Sequence, residues 1–173
     1  MSGTFNSLFR QHREALIFAW VDEIYADRRT DLPTLLSYRE LIEHLPDVLT
    51  ELAGALDGAA QADEISLIVR RLSPHAQVRF RQGCLIDEVA RELMTLRDVI
   101  IEFLWREGMS VADGDFWELR DALWRTDKFI DELIAQTLVI YAASLRPPVR
   151  TRTSRWPPPL RRLTDFPERF RQQ

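Results

Sequence analysis

The sequence predicts an all-α protein, a helical bundle of about six helices in which the last two are much longer than the rest. Three observations carry this expectation. Apolar residues recur three and four apart through most of residues 1–145, the spacing of one helix face. Capping residues, prolines and glycines fall where such stretches would begin and end. The stretches between those signals leave little room for a sheet, and 173 residues suffice for one compact domain with an appendage.

The first helix is expected from about Thr4 to Asp27, with Phe5, Leu8, Phe9, Leu16, Trp20 and Ile24 on its apolar stripe and Thr4 or Ser2 as its cap. Pro33 then constrains Leu32 and marks a turn region. A second helix begins at Ser37, which stands at capping-box spacing from Glu40, and ends at Asp57-Gly58. Pro46 lies inside it and predicts a kink or a brief interruption. A third, shorter helix covers about Asp63 to Leu72. The fourth opens at Ser73-Pro74, read as a serine cap with proline at the first helical position, and stops at Gly83, which suits a left-handed terminal residue.

The first of the two long helices is expected from about Leu85 to Glu107, with Gly108 as its stop. Val89, Leu93, Leu96, Ile100 and Phe103 give it a heptad seam. The second runs from about Asp115 to Leu145, bounded by Gly114 and by Pro147-Pro148, and would span roughly 45 Å. Leu119, Leu123, Thr126, Ile130, Leu133, Thr137 and Ile140 form one seam on it; Ile134, Leu138, Tyr141 and Leu145 begin another. A helix apolar on two faces has to bury both. Either its neighbours surround it or part of it pairs with a second copy of the chain, and Leu119, Leu123, Ile130, Leu133 and Ile140 are expected to line the seam of that homodimer.

The formal charge of −4 hides a division of the chain into a helical body, 1–145, and a tail, 146–173. The tail holds eight Arg against Asp165 and Glu168, together with six of the nine prolines, so the body is strongly acidic. Proline-rich sequence cannot continue a helix, and Pro157–Pro159 favour extended polyproline geometry. The tail reads as a solvated connector. A nucleic-acid-associated regulator with a basic arm is a lesser alternative, which salt-dependent binding would reveal.

Composition excludes several chemistries. A single cysteine, Cys84, rules out a disulfide framework and a thiolate zinc site. Cys84 stands at a helix start without a visible partner and reads as an inert small residue. His12, His44 and His75 never approach one another at metal-ligand spacing in the sequence, and no phosphate-binding glycine loop, zinc-protease motif or nucleophile elbow occurs. Asp22, Glu23, Glu88 and Glu92 read as a solvated carboxylate face. No catalytic residue is expected, nor a metal unless His75 were to bind haem iron. No window reaches the roughly 18 apolar residues of a membrane span, and the start lacks a signal peptide, so a cytoplasmic protein without membrane contact is expected.

One string carries more information. In SPHAQVRFRQGCLIDEVARELMTLRDVI the positions His75, Arg79, Gly83, Glu92 and Leu96-Arg97 follow a distinctive spacing. It resembles the N-terminal domain of RsbR-type RsbT co-antagonists, a domain also found ahead of bacterial histidine kinases. Trp20, Ile24 and Tyr25, and the Leu45-Pro46 step, fit the same resemblance, which covers about residues 5 to 145. It implies a globin-like sensor domain, usually without haem, that forms a homodimer and relays a signal to a partner signalling protein or a kinase or other output module. Globin-coupled oxygen sensors are similar in this region but place the iron-binding histidine nearer the glycine, where this chain has Arg79 and Phe80. No cofactor is therefore expected. Arg79, Glu92 and Arg97 are expected to fix the histidine helix to the long one by charge-assisted bonds.

Overall fold

A computed structural model describes residues 4–112 and 115–145. These residues form an all-α bundle of eight helices, without strands: α1 (Thr4–Ala26), α2 (Leu32–Leu35), α3 (Tyr38–Ile42), α4 (Leu45–Asp57), α5 (Ala62–Arg70), α6 (Ser73–Arg81), α7 (Ile86–Val111) and α8 (Phe116–Leu145). The count exceeds the expected six for two reasons. A single turn, α2, forms around Pro33. The expected Ser37–Asp57 helix breaks at Glu43-His44, because Pro46 sits in the first turn of a new helix, where its missing N–H costs nothing. The proline-arginine tail lies outside the described residues.

α7 and α8 form an antiparallel hairpin that spans the bundle. At one end Gly108 faces Leu119; at the other the Tyr141 hydroxyl donates to the Cys84 carbonyl at 3.0 Å. α1 lies across α4 and α7, while α5 and α6 pack on α8. Trp20, Ile24, Leu41, Leu45, Leu52, Leu93, Ile100 and Phe129 are all sealed from solvent in one continuous core.

Several helix ends differ from the expected ones. Gly108 does not stop α7, which continues to Val111. A Cβ on it would stand 2.8 Å from Leu119 Cδ1, so this glycine lets α8 approach closely. α1 is capped from 50 residues away: Asp57 accepts from the N–H groups of Phe5 (2.7 Å) and Asn6 (2.8 Å), tying the start of α1 to the end of α4. Ser73 is already helical, and Leu72 is the capping position. The Ser37–Glu40 capping box forms as expected.

The expected intermolecular seam on α8 is corrected by the packing. Leu119, Ile130 and Leu133 are buried in the chain's own core, and Leu123 and Ile140 pack partly against it. α4, α5, α6 and α7 already cover this face, so it is not open to a second copy. Thr126 and Thr137 lie in the same seam, each donating its hydroxyl to the carbonyl four residues back, Ala122 and Leu133 respectively.

Candidate functional site: a buried charge centre

The sequence around Gly83 places the central side chain. Gly83 takes φ +81°, and its N–H donates to the Phe80 carbonyl while that of Cys84 donates to the Arg79 carbonyl, both at 3.1 Å. This pair of bonds is a Schellman ending, which a residue with a Cβ would strain. It turns the chain sharply from α6 into α7. Arg79, in the last turn of α6, then faces Glu92, in the second turn of α7.

Both side chains are 1% exposed. Arg79 Nη2 donates to Glu92 Oε1 at 2.7 Å and Nε donates to Oε2 at 3.1 Å, a bidentate fork. The rest of the guanidinium is also satisfied. Nη1 donates to the Glu40 carbonyl and to Gln82 Oε1, both at 3.0 Å, and Nη2 donates to the Leu41 carbonyl at 2.9 Å. The accepting backbone carbonyls belong to α3, whose capping box fixes their direction. One arginine thus joins α3, α6 and α7.

Two histidines complete the centre. His44, at the α3–α4 break, and His75, on α6, stack face to face with ring centroids 3.6 Å apart. They are 31 residues apart in sequence, which is why spacing alone keeps them separate. His44 Nε2 lies 3.1 Å from Glu92 Oε1 and His75 Nε2 lies 4.0 Å from the same oxygen. His44 Nε2 is within ion-contact reach of the carboxylate, yet neither nitrogen is aligned for a hydrogen bond, which leaves both buried atoms without an aligned partner. His44 Nδ1 is 3.2 Å from Arg79 Nη2, and Trp20 closes the inner side by donating its indole N–H to the Glu92 carbonyl at 3.2 Å. A cavity of about 230 Å³, lined among others by Glu40, Glu43, Asp47, His44 and His75, opens on the outer side.

Burial pushes the His75 imidazole down to about 3, with the neighbouring His44 and Arg79 adding to the fall and Glu92 opposing it, so His75 is neutral near pH 7. For Glu92, burial acts upward. The His44 and His75 imidazoles and the Arg79 guanidinium outweigh it and hold the carboxyl well below the usual range. Arg79 sets a permanent positive charge against Glu92.

Three expectations therefore change, those for Glu92, Glu88 and Arg97. Glu92 and Glu88 are buried rather than solvated. Glu88 accepts from the N–H of Asp31 (3.0 Å) and of Leu85 (2.9 Å), fastening the start of α7 to the loop after α1. Arg97 is not in the centre: it lies 3.4 Å from Asp131 and 3.9 Å from Asp127 on α8. His44 was not singled out from the sequence, although its place before Leu45-Pro46 marks it as a residue at a helix break. Of the rest, His75, Arg79 and Gly83 meet at the centre, and Cys84 is buried beside it, its thiol pushed up to about 11 by burial.

These features define a helical domain organised around a buried ion pair. The sequence profile of the family described as the RsbT co-antagonist protein RsbRD N-terminal domain matches residues 14–156, and the chain belongs to that family. The family is regulatory and acts in signal transduction. No curated protein and no solved structure matches the chain. No helix among the described residues is long and apolar enough to cross a membrane.

Proposed function

We propose that this chain is a non-catalytic cytoplasmic sensory domain that pairs with a second copy and relays a signal to a partner protein of the RsbT co-antagonist system. The observation that carries the pairing is a row of uncovered large apolar groups on α8, interrupted at its centre by Asp131. Trp117, Trp124, Leu138 and Leu145 recur at multiples of seven residues and are 63%, 46%, 44% and 67% exposed. Val139 stands beside them, and Trp105 and Met94 are exposed on α7. Large aromatic and aliphatic groups in such a row are the composition of an interface rather than of a solvated face. A symmetric pairing with the two α8 helices parallel would bring both carboxy-terminal ends together, where an output module is attached in a signalling chain.

The same reading has no haem. The His75 ring is covered by His44 at 3.6 Å, and the adjoining cavity of about 230 Å³ is smaller than the roughly 300–1,000 Å³ of small-molecule pockets. Light scattering tests the pairing. The unmodified chain is expected at twice its chain mass of 20.3 kDa, and Trp124→Glu with Leu138→Glu at the single mass with an unchanged circular dichroism spectrum. A monomeric unmodified chain, or a dimer that survives the double substitution, overturns it. A Soret band lost on His75→Ala would overturn the absence of haem.

A further inference from the structure

We propose that His44, His75 and Glu92 form a binding site for a divalent transition metal of the zinc or ferrous type. The starting point is an unmet demand. Two buried imidazole nitrogens, His44 Nε2 and His75 Nε2, have no hydrogen-bond partner and flank one carboxylate oxygen, with all three atoms within 4.8 Å of one another. A buried polar atom left alone costs about 1–3 kcal/mol, so a pair of them around a carboxylate calls for a third party. Two imidazoles and one carboxylate are a donor set for zinc or ferrous iron, with the remaining positions open. Here the open side is the 230 Å³ cavity, whose lining sets the acids Glu40, Glu43 and Asp47 against Arg71 and Arg79, a balance that leaves the acids in excess by one charge.

Arg79 opposes a cation by its charge, but it does not occupy the whole carboxylate. Its Nε–H is shared between the two oxygens, 3.2 Å from Oε1 and 3.1 Å from Oε2, so a metal at Oε1 displaces only that shared contact, which Oε2 retains, while Nη2 keeps its bond to Oε1. The guanidinium is also held independently by Glu40, Leu41 and Gln82. The stacking sets the cost. Nearly parallel rings, 21° apart in plane, cannot both aim their lone pairs at one ion. One ring has to leave the stack, and His44, at a helix break and 13% exposed beside the cavity, has the room. The same swing takes its Nδ1 away from Arg79 Nη2, so that nitrogen can keep the proton while Nε2 binds. Binding is thus coupled to a movement of the α3–α4 junction against α6, which gives the proposed sensor an input. The site stands on its own geometry, so its failure leaves the pairing and relay reading intact.

The test uses the full chain, stripped with a chelator and dialysed against Zn²⁺, with retained metal measured by elemental analysis and Co²⁺ used as a spectroscopic substitute. One Zn²⁺ per chain is expected, along with the strong visible bands of imidazole-ligated, low-coordinate Co²⁺. His44→Gln and His75→Gln should each weaken Zn²⁺ binding at least about tenfold, and His12→Gln should not. If His75→Gln fails to fold, His44→Gln and the Co²⁺ spectrum of the unmodified chain still decide. No retained Zn²⁺, only the weak spectrum of oxygen-bound Co²⁺, or unchanged affinity in His44→Gln overturns the site, and a bridging water then fills the gap.

Discussion

The bundle is held at two places by opposite means. Between α7 and α8 the contact is apolar and repetitive, drawn from buried stripes that hold Val89, Leu93, Leu96 and Ile100 on α7 and Leu119, Ile130 and Leu133 on α8. Where α3, α6 and α7 meet, it is a single arginine with seven polar contacts, three of them to one carboxylate. Hydrophobic contact is non-directional and divides among many residues, so each loss is graded. A buried ion pair is directional and depends on both partners, so removing one leaves a charge that nothing else neutralises. The first kind of contact supplies stability; the second fixes which helix ends meet, and at what angle.

The largest effect is expected where a charge is forced into the apolar region. Leu133 is 2% exposed and sits mid-way along α8. Leu133→Asp buries an unpaired carboxylate at a cost of more than about 4 kcal/mol, much of the 5–15 kcal/mol that domains of this kind possess. The chain should lose its cooperative thermal transition altogether. A folded Leu133→Asp monomer would instead restore Leu133 to an intermolecular seam.

Second in size is the loss of one partner at the charge centre. Arg79→Leu should destabilise the fold by about 3–5 kcal/mol, read from urea midpoints. Leu at both positions 79 and 92 should recover part of that loss, because no unpaired charge remains. A double variant no more stable than Arg79→Leu would show that the guanidinium acts through the carbonyls of Glu40 and Leu41, not through Glu92.

These two regions were not equally legible in the sequence. The α7 and α8 stripes, the capping box at Ser37, the Pro46 break and the left-handed Gly83 all follow from local spacing, and local spacing is what a helix repeats. Which of two apolar faces on α8 turns inward depends on what packs there, and α4, α5 and α6 are not neighbours of α8 in sequence. That is why the Leu119–Ile140 seam reads as intermolecular until the fold shows it filled. The charge centre draws on residues 40, 44, 75, 79 and 92. His75 and Glu92 stand out singly in the sequence, as a lone histidine and as one of several helix carboxylates, and only the resemblance groups them with Arg79, whereas His44 carries no such signal and enters through tertiary contact.

Acid should weaken the polar region selectively. His75 titrates near 3 in the folded chain but near 6.5 once unfolded. Between those values the unfolded state holds the extra proton, so stability falls as pH drops through the window from 6.5 to about 3. The slope from this group approaches about 1.4 kcal/mol per pH unit. Glu92, lowered in the folded state, adds loss in the same direction as pH falls below its ordinary value of 4.5. His75→Gln should flatten the profile above pH 4.5. A profile unchanged by that substitution would mean His75 is as accessible to protons as a surface histidine.

The smallest effect separates two arginines that the sequence treats alike. Arg97 stands in the same spaced string as Arg79 and was expected to share its work, yet its side chain is 25% exposed and faces Asp127 and Asp131, both more than half or about half exposed, across 3.9 and 3.4 Å. Water screens such contacts, and ordering long side chains offsets much of their attraction, so Arg97→Ala should cost no more than about 1 kcal/mol. Added salt should shrink that difference further, while the cost of Arg79→Leu should hardly respond to salt, because a pair sealed from solvent is screened far less. Urea titrations of both variants at low and high ionic strength measure this directly. A salt-insensitive loss of several kcal/mol for Arg97→Ala would place it, against its exposure, in the same class as Arg79.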